Sequence, residues 1–155
     1  MKTDMKCRMV SGGRVSDIVN HLNGCPAIYI VADRNVARFA ENVAAALTDR
    51  KAAGMQCTSG GLHGNVLYID ATEERKSMDT VLEICKWLMD SGADRNALVL
   101  AIGGGITTDM AGFAASIYKR GVRFAYIPTT LLAQVDAAIG GKTGVNFGNY
   151  KNILG

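Results

Sequence analysis

The sequence is poor in several residue types, and each shortage excludes something. Its 155 residues include two histidines, four cysteines and two prolines. Cys7, Cys25, Cys57 and Cys85 are scattered without a Cys-x-x-Cys pair, and with only His21 and His63 beside them no metal-ligand spacing exists. A disulfide-stapled mini-protein is excluded, and reduced thiols in a cytoplasmic protein are the simple reading. Two prolines against 18 glycines, with 20% charged residues, exclude collagen and a disordered tail. No apolar run approaches the roughly 20 residues a bilayer requires. The first residues, Met1 to Lys6, lack an apolar h-region, so neither a signal peptide nor a membrane is expected. Aromatics make up 6%, and no basic stripe interleaves with them, which disfavours nucleic acid.

What is present is an apolar chain with localised charge. Hydrophobic residues reach 48%, and the length fits one domain burying about 68–70% of its extended-chain surface. Net charge is +3, all of it from residue 97 onward. That stretch holds Lys119, Arg120, Arg123, Lys142 and Lys151 against Asp109 and Asp136, with 10 of the 18 glycines. A glycine-rich, basic segment suits a small anion such as phosphate better than a long polyanion. Chance placement of three charges is the alternative.

Four continuous apolar runs, at residues 27–32, 65–69, 97–102 and 123–127, read as strands covered on both faces. Between and after them lie helical repeats. Val36, Phe39, Ala40, Val43, Ala44 and Leu47 form one stripe, and Val81, Ile84, Cys85, Leu88 and Met89 another. Ile106, Met110, Phe113, Ala114 and Ile117 form a third. Asn35 and Ser77 are expected N-caps for the first two helices, and Trp87 is expected in the core or at its rim. The alternation implies an α/β, Rossmann-like fold: a mostly parallel, doubly wound sheet with helices on both faces. Residues 7–10 are expected to add a strand, and 54–64 to form a polar loop. Ligands in such sheets bind beyond the carboxyl ends of the strands, here at Asp33, Asp70, Gly103-Gly104-Gly105 and Pro128-Thr129-Thr130.

Gly103-Gly104-Gly105-Ile106-Thr107-Thr108-Asp109 follows the third strand and opens a helix, so bare backbone and a helix N-terminus could receive a pyrophosphate. The competing reading is a tight turn with Thr108 or Asp109 near the cap. Asp33 could accept hydrogen bonds from a ribose diol, or mark a helix start. Glu73 and Lys76, three apart, could be a solvated pair worth a few tenths of a kcal/mol. Gly140-Gly141-Lys142-Thr143-Gly144 imitates the end of a Walker A loop, but Asp136 stands where that loop needs a glycine. Asp136, Lys142, Lys151 and Asn152 converge in a glycine-punctuated tail. Together a carboxylate, two ammonium groups and an amide suit a polyhydroxylated anion.

The ordered blocks Ile102 to Phe113, Lys119-Arg120-Gly121, Pro128 to Asp136, Gly140 to Asn146 and Lys151-Asn152 closely resemble the dehydroquinate synthase family. The dense resemblance runs from Leu98 to Gly155, and Asp33-x-Asn35 and Glu73-x-x-Lys76 fit weaker N-terminal motifs of the same family. It implies a shikimate-pathway lyase that converts 3-deoxy-D-arabino-heptulosonate 7-phosphate to 3-dehydroquinate and phosphate. In that family tightly held NAD transiently oxidises a ring hydroxyl, phosphate is eliminated, and an intramolecular aldol step closes the carbocycle. A divalent metal, zinc or cobalt, is also implied.

By the same resemblance, Asp33, Asn35, Glu73 and Lys76 meet the adenosine side of NAD. Gly104, Gly105, Ile106 and Asp109 hold the pyrophosphate and neighbouring parts, and Thr129, Thr130 and Lys151 complete the cofactor site. Asp136 and Lys142 are the implied catalytic residues, and with Asn152 they contact substrate. Arg120 would reach the substrate phosphate, including that of a neighbouring subunit, since the family commonly forms homodimers. Thr108 replaces a frequent glycine and Ala137 a frequent serine. The family's metal ligands, a glutamate and two histidines, belong to a later helical domain beyond Gly155, and neither His21 nor His63 matches them. The chain is thus expected to be an NAD-binding N-terminal domain, inactive alone. Related sugar-phosphate cyclases and metal-dependent polyol dehydrogenases of the glycerol type are the alternatives.

Overall fold

The computed structural model describes residues 14–22, 25, 27–51 and 65–155. The expected strand at 7–10, the loop at 54–64 and His63 lie outside these residues. A short helix, α1 (Val15–His21), precedes the first strand. Four strands follow: β1 (Ile28–Asp33), β2 (Val66–Ile69), β3 (Leu98–Gly103) and β4 (Arg123–Pro128). They make one parallel sheet in the order β2-β1-β3-β4. Each begins within one residue of its apolar run.

The continuity of those runs has a simple cause. Tyr29, Val31, Val99 and Ala101 face α3 (Met78–Asp90) and α4 (Gly105–Ile117), in one core with Val81, Ile84, Leu88, Met110 and Ala114. The alternate residues Ile30, Ala32, Leu100 and Ile102 face α2 (Ala37–Lys51), in a second core with Ala40, Val43, Ala44 and Leu47. Every residue of β3 is buried, because it is central and covered on both sides. Trp87 packs partly buried, edge-on to Tyr29 with centroids 5.9 Å apart.

Two local expectations need correction. Asn35 does not cap α2. A 3-10 turn at Arg34–Val36 leads into that helix, and Asp33 caps the turn through Asn35 N. Met89, placed on the apolar stripe of α3, is 64% exposed, because eight residues from Val81 the helix has turned some 80° off the buried line. Ser77 does cap α3, accepting from Thr80 N at 3.4 Å.

The glycine-punctuated tail is structured. Beyond β4 the chain makes a π-helical turn at Ala133–Ala137 and then a hairpin of β5 (Val145–Phe147) and β6 (Tyr150–Leu154). The hairpin bends at Gly148, whose φ of +59° favours glycine. Val145 is fully buried in the α3–α4 core, and Asn146 bridges to Ser77, so the hairpin is anchored to the sheet domain.

Candidate functional site

Helices α2 and α4 leave the adjacent strands β1 and β3 toward opposite faces of the sheet. The crevice beyond the carboxyl ends of β1 and β3, at Asp33 and Gly103, is therefore the topological switch point where such folds take ligands. Two independent turns flank it.

The glycine turn opens α4 without help from any side chain, Gly104 being the cap residue. Thr108 and Asp109, the alternative caps, are used elsewhere: the Thr108 hydroxyl donates to Gly105 O at 3.0 Å, and Asp109 pairs with a lysine. The three glycines are not equivalent. A Cβ on Gly103 would lie 2.5 Å from Thr107 Oγ1, so this glycine serves packing of the first helical turn. A Cβ on Gly104 would press Thr130 Cγ2 at 3.2 Å. On Gly105 it would meet only Ala137 Cβ, at 3.6 Å, leaving its Cα open to a ligand. Thr129 N donates to Gly103 O at 2.9 Å, and Thr130 Oγ1 accepts from Ala133 N, so the threonines are fixed beside the glycine turn.

At the other turn, Asp33 Oδ1 accepts from Asn35 N at 2.9 Å and from Asn35 Nδ2 at 3.0 Å. Both bonds fall on one oxygen; Oδ2 takes none among the described residues and suits a vicinal diol. Arg34 pairs with Asp70 at 2.8 Å, joining the ends of β1 and β2 on the surface.

The most organised part of the site lies under the hairpin. Lys76 is not the solvated partner of Glu73 that its spacing allowed. It is buried, donating to Asp109 Oδ2 at 2.6 Å and to Asn152 Oδ1 at 2.5 Å. Glu73 instead accepts from Asn146 Nδ2 at 2.9 Å, with Lys151 Nζ at 3.6 Å. The Asn146 amide, with help from the charges of Lys151 and Lys76, holds the Glu73 carboxyl below its ordinary range. Five expected ligand residues, Glu73, Lys76, Asp109, Lys151 and Asn152, thus share one polar network drawn from three separated stretches of chain.

Other expected residues stand apart. Asp136 lies exposed on the π-helical turn and Lys142 exposed after it, and neither forms an ion pair among the described residues. Arg120 ends the segment after α4, at the far end of the sheet from the crevice, about 20 Å along a 13-residue helix. With Lys119 and Gly121 it forms a left-handed run, at φ +49°, +70° and +107°.

Two residues escaped the sequence reading. Asn146 is central to the network although only its membership of the Gly144-Val145-Asn146 block marked it. Tyr126 turns a buried hydroxyl toward Gly112 of α4, where a Cβ would collide with it. Burial, then the nearby Asp109, pushes that phenol up to about 12. No sequence signal distinguishes it from an ordinary strand tyrosine.

Among the described residues no group of three His, Cys, Asp or Glu side chains could hold a metal, and no helix is long and apolar enough to cross a membrane. Cys25 and Cys85 are free thiols, Cys85 pushed up by burial.

The parallel sheet and its uncapped, glycine-opened helix at the switch point define an α/β domain of the Rossmann-like class. Residues 66–155 match the 3-dehydroquinate synthase N-terminal family, and the chain belongs to it. It is 40% identical over 141 residues to the 3-dehydroquinate synthase of Rhizobium rhizogenes, covering 90% of this chain and 34% of that protein. The chain therefore spans about a third of that relative's length. It superposes on 2-epi-5-epi-valiolone synthase from Streptomyces hygroscopicus, solved with NAD+ and Zn2+, with a TM-score of 0.75, 35% identity, and coverage of 99% of this chain and 42% of that one. A 2-deoxy-scyllo-inosose synthase complexed with carbaglucose-6-phosphate, NAD+ and Co2+ gives a TM-score of 0.77 at 26% identity, over 93% of this chain and 38% of that one.

Proposed function

We propose that this chain is the NAD-binding part of a 3-dehydroquinate synthase, which forms 3-dehydroquinate and phosphate from 3-deoxy-D-arabino-heptulosonate 7-phosphate. The observation that carries the reading is the uncapped start of α4 at Gly104-Gly105, beside the buried Lys76, which donates to Asp109 and Asn152. The donor set fits the dinucleotide. Backbone N–H groups at the start of α4 face a diphosphate across the open Cα of Gly105, with Thr129 and Thr130 alongside. Asp33 and Asn35 at the end of β1, with Glu73 and Lys76, suit the adenosine side. Ile106 supplies an apolar contact and Lys151 a cation at the rim.

Bound NAD+ would supply a hydride acceptor that returns its hydride, leaving no net redox change. The chain's own groups orient the sugar phosphate. Lys142, exposed and without an ion partner among the described residues, offers an ammonium to the phosphate or carboxylate, and Asp136 accepts from a substrate hydroxyl. Asn152, fixed by Lys76 and Asn146, presents an amide to the same ligand. Arg120 is too far from its own crevice to take part there, which favours a homodimer in which it reaches the neighbouring subunit's substrate phosphate. A zinc or cobalt ion would be held by a glutamate and two histidines of a later helical domain, in a cytoplasmic enzyme.

A sugar-phosphate cyclase acting on a different substrate is the second reading, favoured by the likeness to the valiolone and inosose synthases. A metal-dependent polyol dehydrogenase would instead accumulate NADH. Calorimetry with NAD+, together with assays for phosphate release and NADH accumulation, tests the proposal. Binding of NAD+ by the chain, and release of phosphate without NADH by the complete enzyme, are expected. Net NADH production from a polyol would replace the reading with the dehydrogenase one.

A further inference from the structure

We infer that Asn146 is a positioning residue that holds Glu73, on the cofactor side, and Asn152, on the substrate side, in one rigid frame. The inference rests on the ligand roles proposed above for those two residues. Asn146 uses its main-chain N–H and both polar atoms of its side chain. Its main-chain N–H donates to Lys76 O at 2.9 Å. Its side-chain Nδ2 donates to Glu73 Oε1 at 2.9 Å and to Glu73 O at 3.4 Å, while Oδ1 accepts from Asn152 N at 3.0 Å. One planar amide therefore ties the 73–77 turn to β6, over separations of 73 and 6 residues.

The geometry dictates the residue type. One side must donate to a carboxylate while the other accepts from a main-chain N–H, at a fixed distance from the backbone. Aspartate would place a second carboxylate against Glu73, leucine would offer neither group, and glutamine would overreach. The anchor is firm, because the preceding Val145 is fully buried. The bond to Asn152 also helps to fix a left-handed conformation: Asn152 has φ +51°, a region that asparagine enters more readily than most residues with a side chain. That conformation brings its Oδ1 to Lys76 Nζ.

The test measures NAD+ affinity by calorimetry in wild type, Asn146→Ala, Glu73→Ala and the double variant. Asn146→Asp is added as an isosteric control that keeps the acceptor for Asn152. Folding is checked by circular dichroism, and amide exchange at Asn152 is followed without ligand. Asn146→Ala should weaken NAD+ about tenfold when Glu73 is present and less than about twofold when it is absent, because the two act as a unit. Asn152 exchange should quicken in Asn146→Ala but not in Asn146→Asp, whereas NAD+ affinity should fall in both. Equal losses in both Glu73 backgrounds, or unchanged affinity and exchange, would overturn the positioning role alone. A wild type that binds no NAD+, or a Glu73→Ala variant that binds it as tightly as wild type, would overturn the site assignment and this inference with it.

Discussion

Lys76 and Asp109 stand 33 positions apart, yet their charged atoms meet at 2.6 Å, with the lysine side chain only 7% exposed. Burying an ammonium is costly unless an anion and further acceptors receive it. Here Asp109 from α4 and Asn152 from β6 do so, and the pair clamps the hairpin and the helix to the turn after β2.

Breaking that pair one-sidedly should destabilise the fold. Lys76→Met leaves Asp109 without its cation, and a loss of about 3 kcal/mol is expected, the low end for a buried pair because Asp109 keeps some solvent contact. Urea unfolding measures it. A loss below about 0.5 kcal/mol, the scale of ordinary surface changes, would mean the clamp contributes little.

The glycine turn should separate packing from binding. Gly103→Ala drives a methyl into Thr107 and should cost roughly 1–3 kcal/mol of stability. Gly105→Ala has room and should leave stability within about 0.5 kcal/mol while weakening NAD+ markedly. Thermal melts and calorimetry on the same two variants check both halves. Gly105→Ala binding NAD+ like wild type would place the diphosphate elsewhere.

Tyr126 should report on alkaline pH. Its phenol ionises near 10 in an unfolded chain and at about 12 in the folded one, so its neutral form is favoured by folding. That contribution is present in full below pH 10 and is lost as pH rises through about 12. Tyr126→Phe should remove this part of the alkaline loss and, since the hydroxyl has no partner among the described residues, leave neutral-pH stability equal or higher. Absorbance titration of the tyrosines, paired with urea melts, measures both; a clear loss of stability at pH 7 would reveal an unseen partner.

Lys142 should matter to turnover and not to folding. It is exposed with no ion pair among the described residues, so Lys142→Ala should change stability by less than about 0.5 kcal/mol. In the complete enzyme kcat/KM should fall by well over about tenfold, as for the loss of a charge-assisted bond to substrate. Unchanged steady-state kinetics would remove Lys142 from the site.

The sheet and its helices were legible because their signals are local. Apolar runs such as residues 97–102 and the stripe Val81, Ile84, Leu88 announce themselves within a few residues. The hairpin was not, because all of β6 is exposed and carries no alternation to read. The cap of the turn before α2 fell to Asp33 rather than Asn35, a choice between neighbouring side chains that pattern alone does not make. Lys76 was the largest surprise: its partners lie 33 and 76 residues away, so burial turned a residue that looked solvated into the centre of a network. Asn146, marked only as the end of the Gly140 to Asn146 block, was given no role for the same reason.

A crystal structure of the protein with NAD+ tests the central claim most directly. The account places the diphosphate against the backbone of Gly104 and Gly105 at the start of α4, with the adenosine side toward Asp33. A dinucleotide bound elsewhere, with that helix start bare, would contradict it.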